Sequence, residues 1–304
     1  MLSASAEFVP RGARERIVAP LLRLALQLAL KPALSPSVPI ARQRRRVARL
    51  ARLARPRIAV ATEPAIVGGV PGEWLRPPEA EAALHGTVLY LHGGGYCIGA
   101  AATHRAITMH LAHLTRASVF AADYRLAPEH PYPAAVEDAR SAYRALAAQG
   151  PVVLAGDSAG GGLALATALA AREQPPAALV LFSPWIDLAA ARPDAPSGEA
   201  MLSAPWLDAC ARHYLGAAPA SALDADLAGL PPVLIQAGTD ELLHQDAVRL
   251  HDALDAAGVA VHCEIVPGRW HSFQLHAGSL PSADAALARA AAFLSTALGS
   301  VRTA

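Results

Sequence analysis

The 304-residue sequence predicts an α/β fold, a mostly parallel sheet with helices on both faces, and three observations carry that expectation. Short apolar, β-branched runs recur at 86–92, 117–124, 151–157, 178–184, 231–238 and 259–267. Stretches of helical length lie between most of them, at 103–116, 134–148, 160–173 and 241–257. The runs are nearly continuous in apolar character, as strands covered on both faces must be. With 53% hydrophobic residues the chain can bury a large core, and with only 5% aromatics that core is mainly Ala, Leu and Val.

Ahead of the alternation stand two helical stretches. "IVAPLLRLALQLALKPAL" (17–34) reads as an amphipathic helix, because Arg23 and Gln27 interrupt it and Lys31-Pro32 end it. It falls short of the ~20 apolar residues a membrane span needs. Its charges also lie within the apolar region rather than before it, unlike a secretory leader. "ARQRRRVARLARLARPR" (41–57) places Val47, Leu50 and Leu53 at every third position with arginines elsewhere, a surface helix ending before Pro56. The segments "IAVATEPAI" and "EWLRPP" near 58–78 suit antiparallel edge strands. More than forty residues separate the runs at 178–184 and 231–238, too many for a structureless loop, so "SAPWLDACARHYLG" (203–216) is expected to be an inserted helix.

Composition excludes several functions. A formal net charge of +1 favours neither nucleic acid nor an acidic partner, and the arginine run reads as a solvated helix face. Cys97, Cys210 and Cys263 are odd in number, far apart and without CxxC spacing. A disulfide framework and a structural zinc are therefore not expected, and a reducing, cytoplasmic setting is. No metal or other cofactor is expected.

In a parallel α/β sheet, chemistry gathers at the carboxyl ends of the strands. There "LAGDSAGGG" puts Ser158 in a G-x-S-x-G pattern between a strand and a helix, the setting of a nucleophile elbow. A hydroxyl needs a base, and His271 in the loop "VPGRWHSFQ" follows the last strand directly. His276 lies deeper, His262 sits within a strand, and His104, His110 and His113 share one predicted helix. A carboxylate must hold the imidazole, and Asp240, just past the strand "PPVLIQAG", is the candidate, with Glu241 and Asp246 as competitors. The order Ser158, Asp240, His271 is that of α/β-hydrolases. "HGGG" (92–95) follows the strand one away from the elbow, where a tetrahedral oxyanion would need backbone N–H donors unobstructed by side chains.

These residues resemble the hormone-sensitive-lipase-like esterases, the bacterial family IV carboxylesterases. The resemblance rests on "HGGGY" (92–96), "DYRLAPEHPYPAA" (123–135), "GDSAGG" (156–161), "SPWIDL" (183–188), "GTDELL" (238–243) and "PGRWHSF" (267–273), and spans roughly 60–295. It implies the α/β-hydrolase fold, Ser158 as nucleophile, Asp240 as acid, His271 as base, and oxyanion donors at Gly94, Gly95 and Ala159. Many relatives have Asp-Pro-Leu where this chain has Asp240-Glu241-Leu242, and Phe where it has Tyr96. The resemblance also implies a helical cap: an N-terminal segment over 1–57 and an insertion at about 188–228 in a catalytic domain of 58–304. The first segment would then cover an acyl pocket rather than insert stably into a membrane, and "YRLAPEH" would be a structural loop. The function expected is hydrolysis of hydrophobic short-to-medium-chain esters through an acyl-enzyme, the partner being the small ester substrate, with a homodimer left open. Amidase, lactonase or lipase action by the same triad, and a non-catalytic receptor, are the alternatives.

Overall fold

The computed structural model describes residues 2–4, 8–10, 12–53, 56, 58–78, 86–190, 196, 198–216 and 221–300. Nine described strands form one sheet: β1 (Leu2–Ala4), β2 (Ala61–Val67), β3 (Val70–Arg76), β4 (Thr87–Leu91), β5 (Ser118–Ala122), β6 (Val152–Asp157), β7 (Ala178–Phe182), β8 (Val233–Gly238) and β9 (Val261–Val266). Their spatial order is β1-β9-β8-β7-β6-β4-β5-β3-β2. Pairing is parallel from β1 through β5, and antiparallel where β3 joins β5 and β2 joins β3. The six apolar runs are thus the six central parallel strands, and the two segments at 58–78 are antiparallel edge strands. The short β1 was not expected; three residues carry too little pattern to be read.

Helices α3 (Arg105–Thr115), α4 (Ala134–Ala147), α5 (Ala159–Leu169), α7 (His244–Ala256) and α8 (Pro281–Ser300) accompany the sheet. The chain also forms α1 (Ala13–Ala29), α2 (Ile40–Leu53) and, in the late insertion, α6 (Ala204–Leu215). Parts of both expected cap segments, including 54–55, 57, 191–195, 197 and 217–220, lie outside the described residues. Strands β4 to β9 are nearly free of solvent because sheet faces meet helices on both sides, as continuous apolar runs require.

Register places the functional loops. Leu91 pairs with Gly156, so the chain leaving β4 at His92 runs beside the chain leaving β6 at Asp157. From β4 the chain adds β5 on one flank and then β6 on the other, so these exits straddle the point where the winding reverses. That crevice is where open α/β sheets bind ligands.

Candidate active site

Ser158 sits between the last residue of β6 and the first of α5, at φ 54° and ψ −121°. A side-chain-bearing residue on the positive-φ side is strained by about 1–3 kcal/mol and persists only where its surroundings dictate it. They do: its N–H donates to Phe182 O at 2.8 Å, and its carbonyl accepts from Gly161, Gly162 and Trp185. Ser183, at the end of β7, and Ser272, beside His271, are likewise at positive φ, 45° and 46°. Ser158 and Ser272 line one crevice, with Ser183 bonded behind Ser272.

The glycine loop is moored by its neighbour's carboxylate. Asp157 is buried and accepts from Tyr90 Oη at 2.7 Å, Gly93 N at 2.9 Å and Ser272 Oγ at 3.2 Å, with His104 Nε2 at 3.4 Å. Burial alone would raise its pKa, but the His104 charge and hydrogen bond, Tyr90 and His271 outweigh it and hold the carboxyl down at about 2. His104 is raised in turn: burial works against its cation, and Asp157 prevails. His92 stays neutral, pushed down to about 3 by burial and by His104, and stacks on Tyr124 at 4.3 Å. Tyr124 Oη donates to His92 O at 2.6 Å, and Ala127 N to Tyr96 O at 2.9 Å. The "YRLAPEH" segment thus braces the glycine loop.

The glycines have more specific reasons than open space for an oxyanion. A Cβ at Gly93 would collide with the Asp157 carboxylate, and Gly94 takes φ +120° with the Ile98 carbonyl packed where its Cβ would point. Gly93 N–H is committed to Asp157, whereas those of Gly94, Gly95 and Ala159 have no acceptor among the described residues.

His271 is buried on the β9–α8 connection, in the crevice with Ser158. Asp240 turns its carboxylate toward α1: Oδ2 accepts from Arg23 at 2.9 Å, Oδ1 accepts from Thr239 Oγ1 at 2.8 Å, and the side chain is 28% exposed. Its neighbour Glu241 points inward. Glu241 Oε2 accepts from Ser183 Oγ at 2.8 Å and Gly238 N at 3.1 Å, while Oε1 is buried without a hydrogen-bond partner among the described residues. Ser183 Oγ in turn accepts from Ser272 N at 3.1 Å, which ties Glu241 to the residue next to His271. Burial pushes the Glu241 carboxyl up to about 8, with Glu199 and Asp246 adding repulsion against the two hydrogen bonds. Asp246 accepts from Ile186 N and Asp187 N and secures the exit of β7. His276 is half-buried, lies 5.8 Å from the Trp270 ring, and is lowered to about 4 by its burial.

Above Ser158 lies a cavity of about 320 Å³ walled by Leu22 and Leu26 of α1, Leu30 just after it, Val47 and Leu50 of α2, and Trp206 of α6. Trp206 Nε1 donates to Gln43 Oε1 of α2 at 2.8 Å, joining α6 to α2. Arg44 of α2 donates to Cys97 O and Ala127 O and forms a bidentate pair with Glu129. Buried Glu15 of α1 pairs with Arg269 at 2.7 Å and accepts from Ser282. Arg23 also donates to Gly268 O at 2.7 Å. Among the described residues no cluster of three or more His, Cys, Asp or Glu could hold a metal ion.

Ser183, Ser272 and the role of Asp157 are not evident from residue type and spacing, and His104 stood out only as one of three histidines on a predicted helix. Their signals were present: Asp157, Ser183 and Ser272 fall inside three of the quoted motifs, and Glu241 replaces the proline of Asp-Pro-Leu. His104 carried none, since its contact arises from sheet register.

Comparison with known proteins adds an independent line. A family model described as the alpha/beta hydrolase fold matches residues 88–275. An acetyl-hydrolase of Streptomyces hygroscopicus is 43% identical over 248 residues, 77% of this chain and 82% of that protein. An esterase of Acinetobacter venetianus is 35% identical over 260 residues, 80% of this chain and 85% of that protein. The crystal structure of an esterase from the bacterial hormone-sensitive lipase family is similar at a TM-score of 0.85 and 36% identity, covering 95% of this chain and 100% of that one.

Proposed function

We propose that Ser158, His271 and Glu241 form the working triad. The chain belongs to the alpha/beta hydrolase fold family, among the hormone-sensitive-lipase-like esterases, and is a carboxylic ester hydrolase. The observation that carries the reading is Ser158 held at a strained turn on the floor of an aliphatic cavity that His271 also lines.

His271 takes the Ser158 proton as Oγ attacks the ester carbonyl. The N–H groups of Gly94, Gly95 and Ala159 receive the oxyanion, aided by the N-terminus of α5. His271 then protonates the departing alcohol, and water releases the acid from the acyl-enzyme through the same steps. Glu241 is the acid in place of Asp240 because it offers a buried, unclaimed oxygen, whereas both Asp240 oxygens are engaged. Burial raises the Glu241 carboxyl, and a positive imidazolium nearby would favour its carboxylate form, the form that orients the imidazole and stabilises its cation. The leucine walls suit apolar acyl groups of short to medium length.

Incubation with a phosphonate ester should add one phosphonyl group to Ser158, located by peptide mass spectrometry. Ser158→Ala should lose about 10⁴-fold or more in kcat for p-nitrophenyl esters. Labelling elsewhere, or near-normal turnover by the variant, contradicts the assignment.

A further inference from the structure

Helix α1 uses both of its faces. Leu22, Leu26 and Leu30 look into the cavity, while Ile17, Leu21, Leu24 and Leu28 are 52% to 71% exposed. The spacing 4, 3, 4 places these four in one stripe, within about 60° on a helical wheel and on the side turned away from the cavity. On α2, Val47, Leu50 and Ala51 line the same cavity. Its other side presents Arg42, Arg45, Arg46, Arg49 and Arg52, all exposed. The 14-residue helix contains no acid, and none of these five arginines makes an ion pair among the described residues. The roof over the cavity thus carries an aliphatic stripe and a row of unneutralised cations.

We infer that this roof docks on the surface of an anionic lipid bilayer. Leucines entering the acyl boundary and arginines meeting lipid phosphates is the division of labour of interfacial helices. Charge complementarity separates this occupant from a second copy of the chain, whose own arginine row would be repelled. Area separates them too: four aliphatic side chains supply about 250–500 Å², against the roughly 800 Å² per partner of a stable interface. Nucleic acid would meet the arginines and leave the leucines without a role. Docking is peripheral, because no described helix is long and apolar enough to cross a membrane. It would hold the cavity over the phase where apolar esters dissolve, a consequence that rests on the function proposed above; the docking itself does not.

The test is flotation of the full chain with vesicles of phosphatidylcholine alone and of phosphatidylcholine with phosphatidylglycerol. Binding is expected to the anionic vesicles at low salt, to weaken in high salt, and to be at least about tenfold weaker on neutral vesicles. The triple variant Leu21→Gln, Leu24→Gln, Leu28→Gln and the triple variant Arg45→Gln, Arg46→Gln, Arg49→Gln should each lose about tenfold or more in binding. Both should hydrolyse p-nitrophenyl acetate in solution at the parent rate, which shows that they fold. Ser158→Ala protein should bind like the parent, so failure of the catalytic reading and failure of docking are read separately. Absence of parent binding to anionic vesicles at low salt overturns the inference. So does equal binding by both triple variants, a leucine-dependent dimer without vesicle binding, or retention of DNA without vesicle binding.

Discussion

At the sheet edge a single carboxylate, that of Asp157, collects a tyrosine, a backbone N–H, a serine and a histidine with almost no access to water. At the junction with α1, Arg23 and Asp240 make an ion pair of similar length in which each side chain is more than a quarter exposed. Both arrangements join loops that are distant in sequence. They differ in what happens when a partner is lost. A buried charge left alone cannot recover hydration, whereas an exposed one largely can. The sheet edge is therefore built to be fixed, and the α1 junction to be held more loosely over the cavity.

The difference can be broken most visibly at Asp157. Asp157→Asn leaves His104 without its counter-ion and should lower stability by about 3–5 kcal/mol in urea unfolding. The carboxyl sits at about 2, below its unfolded value, so its stabilisation is present above about pH 4 and fades as pH falls toward 2. The gap in Tm between parent and variant should narrow over that window; a constant gap would mean the charge is not what stabilises.

Glu241 behaves with the opposite sign. Its folded pKa of about 8 lies above the unfolded value, so the stability contributed by the neutral carboxyl is complete below about pH 4 and lost as pH rises through 8. Compared with Glu241→Gln, the parent should lose Tm between pH 5 and pH 9. A parallel pair of curves would remove burial as the governing influence on this side chain.

The smallest effect is expected at the junction. Arg23→Gln should cost about 0.5–1 kcal/mol and leave kcat/KM within about threefold, because the pair is solvent-screened and Arg269 with Glu15 still ties α1 to the His271 loop. A loss of hundredfold in kcat would show that the α1 junction is as exacting as the sheet edge.

Legibility in the sequence follows the same division. The six central strands and most of the helices announce themselves by period and length, since burial on both faces leaves an unbroken apolar run. Ser158 and His271 are readable because each follows a strand at the active edge, and the three glycines because they stand together. What could not be read depends on direction. Asp240 and Glu241 are adjacent and chemically alike, and nothing in "GTDELL" tells which one turns inward. That is decided by Arg23, 217 residues away, which draws Asp240 outward, and by Ser183 and Gly238, which receive Glu241. His104 was hidden for the same reason: its partner Asp157 is brought to it by the pairing of β4 with β6. The gap between the runs at 178–184 and 231–238 was legible by its length, and Met201, Leu202 and Trp206 from within it line the cavity.

The central claim is that the acid of this site is Glu241 rather than Asp240, and one kinetic comparison addresses it directly. Purified Glu241→Gln and Asp240→Asn proteins, each shown to be folded by circular dichroism, would be assayed with p-nitrophenyl acetate across the pH range. Glu241→Gln should lose about 10²–10⁴-fold in kcat, since the imidazole loses the carboxylate that orients it and stabilises its cation, while Asp240→Asn stays within about threefold. A large loss in Asp240→Asn beside a nearly unaffected Glu241→Gln would contradict it.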